Sequence, residues 1–219
     1  MKRQMAAAGL AAMAIWAGTA QAAPRPSEIP VSWKLDIHYE QPKPIQVRLP
    51  GETLAKTFWY LRYTVTNRTG KDQIFVPDFV LYAGTGQVLR AGRGAPGVVF
   101  EAIKKLYNDP LLKDITGMTG KLLQGEDNAK NGVAIWTDID HAAGSFDVFC
   151  GGLSGETVAI TLPRAVIVNE MDAAGKMHDV RKEKALLVRT LHLKFAIPGE
   201  AAARFTTPAR LVKKNWVMR

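Results

Sequence analysis

Apolar and polar residues alternate along much of the chain, which is the pattern of β-strands with one buried face. The alternation is clearest at residues 32–40 and recurs at 45–49. Aromatic and β-branched residues fill 58–67, and a turn-forming run leads from there into 74–82, which predicts a β-hairpin. Further strands are predicted at residues 87–91, 133–136, 146–150, 157–162, 165–169 and 185–197.

Short strands separated by Gly-, Pro- and Asp-rich turns are typical of antiparallel sandwiches. We therefore predict a mainly β chain that forms an antiparallel β-sandwich of the immunoglobulin-like type, with one helix-containing excursion around residues 92–132. A helix is predicted at 98–107 inside this excursion. Two interpretations of the excursion stay open: it holds a functional site, or it covers one open end of the sandwich. The helix is predicted because four apolar residues recur at the spacing of one helix face: Val99, Ile103, Leu106 and Tyr107.

The first 22 residues have the features of a secretory signal peptide. Two basic residues precede an apolar, uncharged run at 6–20, and Ala-Gln-Ala at 20–22 supplies the small residues that signal peptidase reads. The run would form about 22 Å of helix, which is shorter than the roughly 30 Å core of a bilayer. We predict cleavage after Ala22, secretion or a periplasmic location, no transmembrane anchor after cleavage, and a single β-sandwich domain at 23–219.

The formal net charge of +9 is unevenly distributed along the chain. Residues 23–163 carry 15 basic and 15 acidic side chains, whereas residues 164–219 carry 12 basic and 5 acidic ones. No aromatic stripe interleaves the basic residues, and an exported protein rarely meets nucleic acid, so no nucleic-acid partner is predicted. Two interpretations of the basic region remain: a solvated strand pair and tail, or a surface that contacts an anionic component of the cell envelope.

Residues 92–97 match the G-x-G-x-x-G pattern of dinucleotide-binding proteins, between a predicted strand and a predicted helix. The second parallel strand of such a unit is missing, so no cofactor-binding residue is predicted. Free N–H groups at a helix start, with a guanidinium beside them, suit a sulfate or a carboxylate. Arg93 and Gly94 are therefore candidates for anion binding.

Two acidic patterns are candidates for binding calcium or zinc. Asp138, Asp140 and His141 place two carboxylates and an imidazole within four residues, a set that suits zinc or acid–base chemistry. Asp and His in a loop of this kind are also common turn formers, which is the alternative interpretation. Positions 1, 5, 6 and 12 of an EF-hand-like calcium loop match Asp127, Asn131, Gly132 and Asp138.

We consider three functions. A non-catalytic binding or structural module is favoured, with no catalytic residue predicted, because no histidine lies in a recognisable nucleophile context and Cys150 is expected to be buried and inert. The first alternative is a metal-assisted hydrolase that uses the 138–141 cluster with Glu126 or Asp127. The second is a glycan-binding module, whose aromatic surfaces would come from Trp33, Trp59, Trp136 and Trp216.

Four local strings resemble an exported bacterial protein family of the planctomycete type. They are FWYLRYTVTNRTG at 58–70, GKLLQGEDNAK at 120–130, FCGGLSGET at 149–157 and WVMR at 216–219. The resemblance spans most of residues 23–219 and implies export and one domain, but no known activity, cofactor or catalytic residue. The strand-TNxTG-strand piece is also similar to immunoglobulin-like extracellular domains, a likeness of fold that does not transfer function.

Overall fold

The computed structural model describes residues 23–29, 31–172, 174–200 and 204–219. The predicted signal peptide at 1–22, with its cleavage site, lies outside the described residues. Among the described helices, none is long and apolar enough to cross a membrane.

The chain is mainly β, and its strands form two large antiparallel sheets and one small one, as the alternating pattern predicts. Two helices, α1 (Gly97–Tyr107) and α2 (Ile115–Met118), lie between the sixth and seventh strands. The strands are β1 (Asp36–Tyr39), β2 (Lys43–Arg48), β3 (Ala55–Asn67), β4 (Gln73–Phe75), β5 (Asp78–Ala83), β6 (Val88–Arg90), β7 (Gly120–Leu122), β8 (Gly125–Thr137), β9 (Ser145–Gly151), β10 (Thr157–Met171), β11 (Met177–Ala196) and β12 (Arg210–Met218).

The first sheet is built around β3, which pairs with β1 and β2 on one side and with β8 on the other. The second sheet has the order β10-β11-β9-β5-β6, and β12 also pairs with β11. The small sheet joins β4 to β7. This pairing leaves β10 and the first half of β11 as a two-stranded ribbon, while the second half of β11 lies between β9 and β12.

The main core packs side chains of the two large sheets together. Trp59 and Trp136 of the first sheet are almost fully buried, as are Phe146 and Phe195 of the second. The rings of Trp59 and Phe146 meet edge to face at 5.5 Å between centroids. Strand alternation accounts for this core, because every second residue of each strand points to the same face.

Helix α1 covers the outer face of the first sheet and not an open end of the sandwich. Val99 and Ile103 of α1 have no exposed surface and pack in a second apolar cluster with Phe58 and Val133. The predicted helix is therefore present, but Leu106, which was expected on its buried face, is 64% exposed. The excursion as a whole contains α1, α2, β7 and the first half of β8.

The hairpin predicted between residues 58–67 and 74–82 is wrong. β3 belongs to the first sheet, whereas β4 pairs with β7, and β5 lies in the second sheet. The buried Asn67 side chain donates hydrogen bonds to the carbonyls of Lys71 and Leu122, which directs the chain toward β7. The alternation of residues identifies a strand but not its partner, so the turn sequence alone suggested a hairpin.

The C-terminal region differs from the prediction in two ways. Strand β12 was expected only as a basic tail, and the strands expected at 157–162 and 165–169 are one strand, β10, with a bulge between Thr161 and Val166. Strand β11 begins at Met177, well before the predicted residue 185. The basic residues of this region therefore lie largely on paired strands.

Candidate functional site

A cleft of about 1140 Å³ lies between residues 23–28 and the strands β5, β9, β11 and β12. We call it the N-terminal cleft. Its lining combines guanidinium groups, aromatic rings and hydrogen-bonding side chains, which include Arg25, Arg189, Arg219, Tyr82, Phe149, Trp216, Asp147, His192 and Asn215.

The N-terminal wall of the cleft is attached through Glu156. The backbone N–H of Ser27 donates to Glu156 Oε1 at 2.8 Å, and Arg189 Nη1 donates to Glu156 Oε2 at 2.6 Å. The side chains of Arg189 and Glu156 are only 7% and 2% exposed. The Ser27 N–H and the Arg189 guanidinium hold the pKa of the Glu156 carboxyl below its ordinary value. Glu156 is thus a charged anchor for the segment that closes the cleft.

Arg189 keeps a hydrogen-bond donor that the described residues do not use. Its Nε is buried and has no partner among them, while its guanidinium lies 5.1 Å from the centre of the Trp216 ring. Buried N–H groups in proteins nearly always have a partner, from the protein, from water or from a ligand. A ligand oxygen or a water that entered this wall of the cleft would satisfy the unused donor.

Aromatic and cationic groups stack across the outer face of the second sheet. The His192 and Phe149 rings are parallel within 8°, with 4.7 Å between their centres. The Arg219 guanidinium lies 4.5 Å from the centre of the Phe149 ring, and Arg219 Nη2 donates to the Tyr82 hydroxyl at 2.6 Å. Strand register produces this stack, because Phe149 of β9 lies directly opposite His192 of β11.

His192 is held from both sides. Its Nδ1 lies 3.0 Å from Asn215 Oδ1, and its Nε2 lies 2.6 Å from Asp147 Oδ1. Because both ring nitrogens are engaged, neither is free to take a proton from a ligand in this arrangement. The group fits a rigid part of a binding surface better than a general base.

The structure does not bring the predicted metal ligands together. Asp127 lies near the start of β8 and Asp138 follows its end, so about eleven residues of extended strand, roughly 36 Å, separate them. An extended strand cannot wrap around a cation as a calcium loop does. Glu126, near the start of β8, is paired with Arg68. Among the described residues, no group of three His, Cys, Asp or Glu side chains is placed to hold a metal ion.

The loop after β8 has the geometry of a turn. Asp140 Oδ1 accepts from the Ala142 N–H at 2.9 Å, and this bond, with one from the Thr85 hydroxyl, lowers the pKa of Asp140. Gln87 donates to the Asp138 carbonyl and accepts from the Asp140 N–H. The His141 ring packs against the Phe205 ring, tilted by 36°, with 4.2 Å between the ring centres. Each of these contacts fixes the loop conformation, as the turn interpretation proposed.

Arg93 and the start of α1 line different cavities. The cavity at the helix start, about 210 Å³, is lined in part by Asp114, whose negative charge disfavours an anion. Arg93 lines another cavity with Val88, Arg90 and Thr137. Gly92 and Gly94 have φ of 78° and 71°, left-handed values that glycine adopts at no steric cost. The turn into α1 thus accounts for the glycines of this motif.

A second polar cluster ties α1 to the first sheet. Arg62 donates to Glu40 at 2.9 Å and to Asp109 at 3.4 Å, and its guanidinium lies 3.8 Å from the centre of the Tyr107 ring. Burial and the hydrogen bond to the Tyr107 hydroxyl raise the pKa of Tyr60. Apart from Arg62 Nε, which is buried without a partner among the described residues, these groups satisfy one another at the end of α1. This supports a covering role for the helix.

Comparisons with protein-family models, with curated proteins and with solved structures found no match to this chain. The sequence pointed to the basic region that contains Arg189 and Arg219, but it gave no signal for Arg25 or for the segment around it. Only the folded chain shows that residues 23–28 line a cleft together with residues of the second sheet.

Proposed function

We propose that this chain is an exported binding module of the bacterial periplasm or cell envelope, which binds an anionic envelope component in the N-terminal cleft and catalyses no reaction. The observation that carries the proposal is that three guanidinium groups, of Arg25, Arg189 and Arg219, line one cleft. Arg189 Nε is also buried without a partner among the described residues. We also propose that the sandwich is of the immunoglobulin-like type and that the chain is related to exported planctomycete proteins.

The distribution of charge in the cleft supports an anionic ligand. The lining has three arginines against two carboxylates, Glu28 and Asp147, and Asp147 is already engaged by His192. Arg25 is exposed, and the Arg219 guanidinium lies over aromatic rings, so both can contribute positive charge to a ligand. Guanidinium groups bind carboxylates and phosphates through paired, charge-assisted hydrogen bonds.

The aromatic lining supports a ligand that contains sugar rings. Trp59 and Trp136 are buried in the core, but Trp33 and Trp216 are only half-buried, and Trp216 lines the cleft. A neutral glycan is therefore the second candidate ligand, because flat aromatic surfaces pack against sugar rings. The hydrolase alternative has less support, since Glu126 and Asp127 lie at the opposite end of β8 from the loop that holds Asp138, Asp140 and His141.

Titration calorimetry with two oligosaccharides of equal length tests the proposal. We expect hexagalacturonate, which is anionic, to bind, and we expect the double substitution Arg25→Gln, Arg219→Gln to weaken binding roughly tenfold or more. Arg93→Gln and Arg164→Gln together remove the same two charges at exposed positions outside the cleft and serve as the control, with unchanged affinity. Binding should also weaken as salt is added, because exposed charges are screened.

Two outcomes would contradict the anionic ligand. If maltohexaose bound as tightly as hexagalacturonate, the ligand would be a neutral glycan, as in the second candidate. If neither sugar nor inorganic phosphate bound, or if the cleft variant and the control variant behaved alike, the cleft would not be a binding site for anions.

A further inference from the structure

The ribbon of β10 and the first half of β11 exposes an unusual amount of apolar side chain. We call residues 157–171 and 177–188 the arm. Ile167, Met171 and Leu186 are 71%, 68% and 64% exposed, and Met177 is 54% exposed. An isolated two-stranded ribbon is only marginally stable in water, so a ribbon of this length with such a surface is expected to gain from a further strand.

One edge of the arm has free backbone groups. The Val188 N–H donates to the Arg219 carbonyl at 2.7 Å, whereas the Arg189 N–H donates the other way, to the Glu156 carbonyl. Near the turn the parity is the reverse, because the Asp172 N–H donates to the Lys176 carbonyl at 3.0 Å, and a register shift separates this half of the arm from Val188. Backbone groups alternate in direction along a strand, so the odd-numbered residues of β11 near the turn point away from β10. Within the described residues, no strand pairs with this edge before Val188. The unpaired backbone positions near the turn are Met177, Asp179 and Arg181.

We propose that this edge pairs with the same edge of a second copy of the chain, antiparallel, about a twofold axis at Val180. The two arms then form a four-stranded sheet over residues 177–183 of each copy. Val180 faces Val180 of the second copy, and each valine is flanked by its own Val168, which lies opposite it in the arm. The result is a row of four valines on one face of the sheet.

Charge on the other face selects this register. With the axis at Val180, Asp179 lies opposite Arg181 of the second copy, twice by symmetry. If the axis lay at Asp179, Arg181 or Lys182, that residue would face the same residue of the second copy. Two like charges would then lie directly opposite each other. In the favoured register Lys182 faces His178 of the second copy, but Glu170 of its own arm already pairs with Lys182. Like charges directly opposite in a sheet are destabilising and opposite charges are stabilising.

A self-complementary register is the reason to expect a second copy and not an unrelated protein. Both ion pairs form only if the partner strand has the same sequence and runs antiparallel to this one. A twofold axis produces this arrangement. Asp179 and Arg181 are exposed, and Arg181 has only its neighbour Glu183, at 3.4 Å, as an ion-pair partner among the described residues. Both side chains are therefore free to pair across the axis.

Sedimentation equilibrium of the purified exported form tests the pairing. We expect a monomer–dimer equilibrium at concentrations up to about 200 µM. Arg181→Asp and Asp179→Arg, each alone, place like charges opposite each other and should raise the dissociation constant roughly tenfold. The double swap Asp179→Arg, Arg181→Asp restores opposite charges with unchanged composition and should return the constant to near the original value. Arg93→Asp, on the loop before α1, is the control for a charge change elsewhere.

Circular dichroism and unfolding curves show whether each variant is folded. If a single variant is unfolded, the double swap still tests the proposal, because it restores opposite charges at the two positions. A chain that stays monomeric at every concentration overturns the proposal, whatever other partner the arm has. A dimer that responds equally to the Arg93 control, or one that the double swap fails to restore, also overturns it, because the dimer would then use another surface.

Discussion

Gly132 shows how closely a single residue is fitted in this fold. It lies opposite Tyr63 in the pairing of β3 with β8. A Cβ at this position would lie 2.6 Å from Tyr63 Cζ and 2.9 Å from Met118 Cγ, which is too close for carbon atoms. Gly132, which matches position 6 of the EF-hand-like pattern in the sequence, is thus required by packing.

Gly132→Ala is expected to reduce the free energy of unfolding by about 1–3 kcal/mol, because the added methyl overpacks the site. Gly97→Ala is the matched control, since nothing lies within 4 Å of a Cβ at the first residue of α1. Urea unfolding should show the control unchanged or slightly stabilised, because alanine favours the helix. Equal stability of both variants would contradict the close approach seen at Gly132.

A second prediction at the scale of single residues concerns the buried ion pair of Glu156 and Arg189. Glu156→Gln leaves the Arg189 charge buried without its partner and should reduce the free energy of unfolding by about 3–5 kcal/mol at neutral pH. Glu183→Gln, which alters an ion pair that is about 70% exposed, should change stability by less than about 1 kcal/mol. Unfolding by denaturant measures both.

Stability should also depend on pH through Glu156. Its pKa is lower in the folded chain than in the unfolded chain, so the unfolded state takes up the proton first as pH falls. The stabilisation is therefore complete above the ordinary glutamate pKa of about 4.3 and is lost as pH falls through the lowered value. The difference between wild type and Glu156→Gln should narrow over this acid range, and a difference that stays constant would contradict the assignment.

At the scale of elements, α1 is held by its tertiary contacts more than by its own sequence. It has no side-chain cap at Pro96 and no acidic residue in its first turn. Its buried residues, Val99 and Ile103, pack on the outer face of the first sheet. Most helical stability in proteins comes from packing of this kind.

Ile103→Ala should therefore cost about 2–5 kcal/mol, since it empties a fully buried position. Leu106→Ala, one turn later and 64% exposed, should leave stability within about 0.5 kcal/mol. Thermal and urea unfolding of the two variants give the comparison. If both lost stability equally, Leu106 would be packed in solution and the helix would sit differently on the sheet.

At the scale of the whole molecule, Cys150 reports on the opening of the sandwich. Its thiol lies in the core between the two large sheets with no exposed surface, and burial raises its pKa. Thiolate is the reactive form, so native protein should react with a thiol reagent only after the sheets separate. The sequence has a single cysteine, so the signal has one source.

We expect labelling at pH 8 to be slow in native conditions and to accelerate with urea with the same dependence that global unfolding shows. Fully denatured chain, labelled one thiol per molecule, is the control. Fast labelling without urea, or labelling that urea does not accelerate, would mean that Cys150 is reached by local opening of the second sheet.

The sequence by itself determined the class of the fold. Alternation in the strands, the helical spacing of Val99 and Ile103, and most strand positions follow from local periodicity, because burial of one face imposes it on each element separately. The turn at Asp140 was one of two interpretations, and the buried state of Cys150 was predicted; both depend mainly on neighbouring residues and side-chain polarity.

Tertiary structure alone decided which strands pair and which residues meet. Residues 58–67 and 74–82 are neighbours in sequence but belong to different sheets, and Asp127 and Asp138 are separated by the strand that joins them. Arg25, Phe149, Arg189 and Arg219 come together from four parts of the chain. Periodicity shows which face of an element is buried, but it carries no information about the partner, because that choice depends on the joint packing of all the elements.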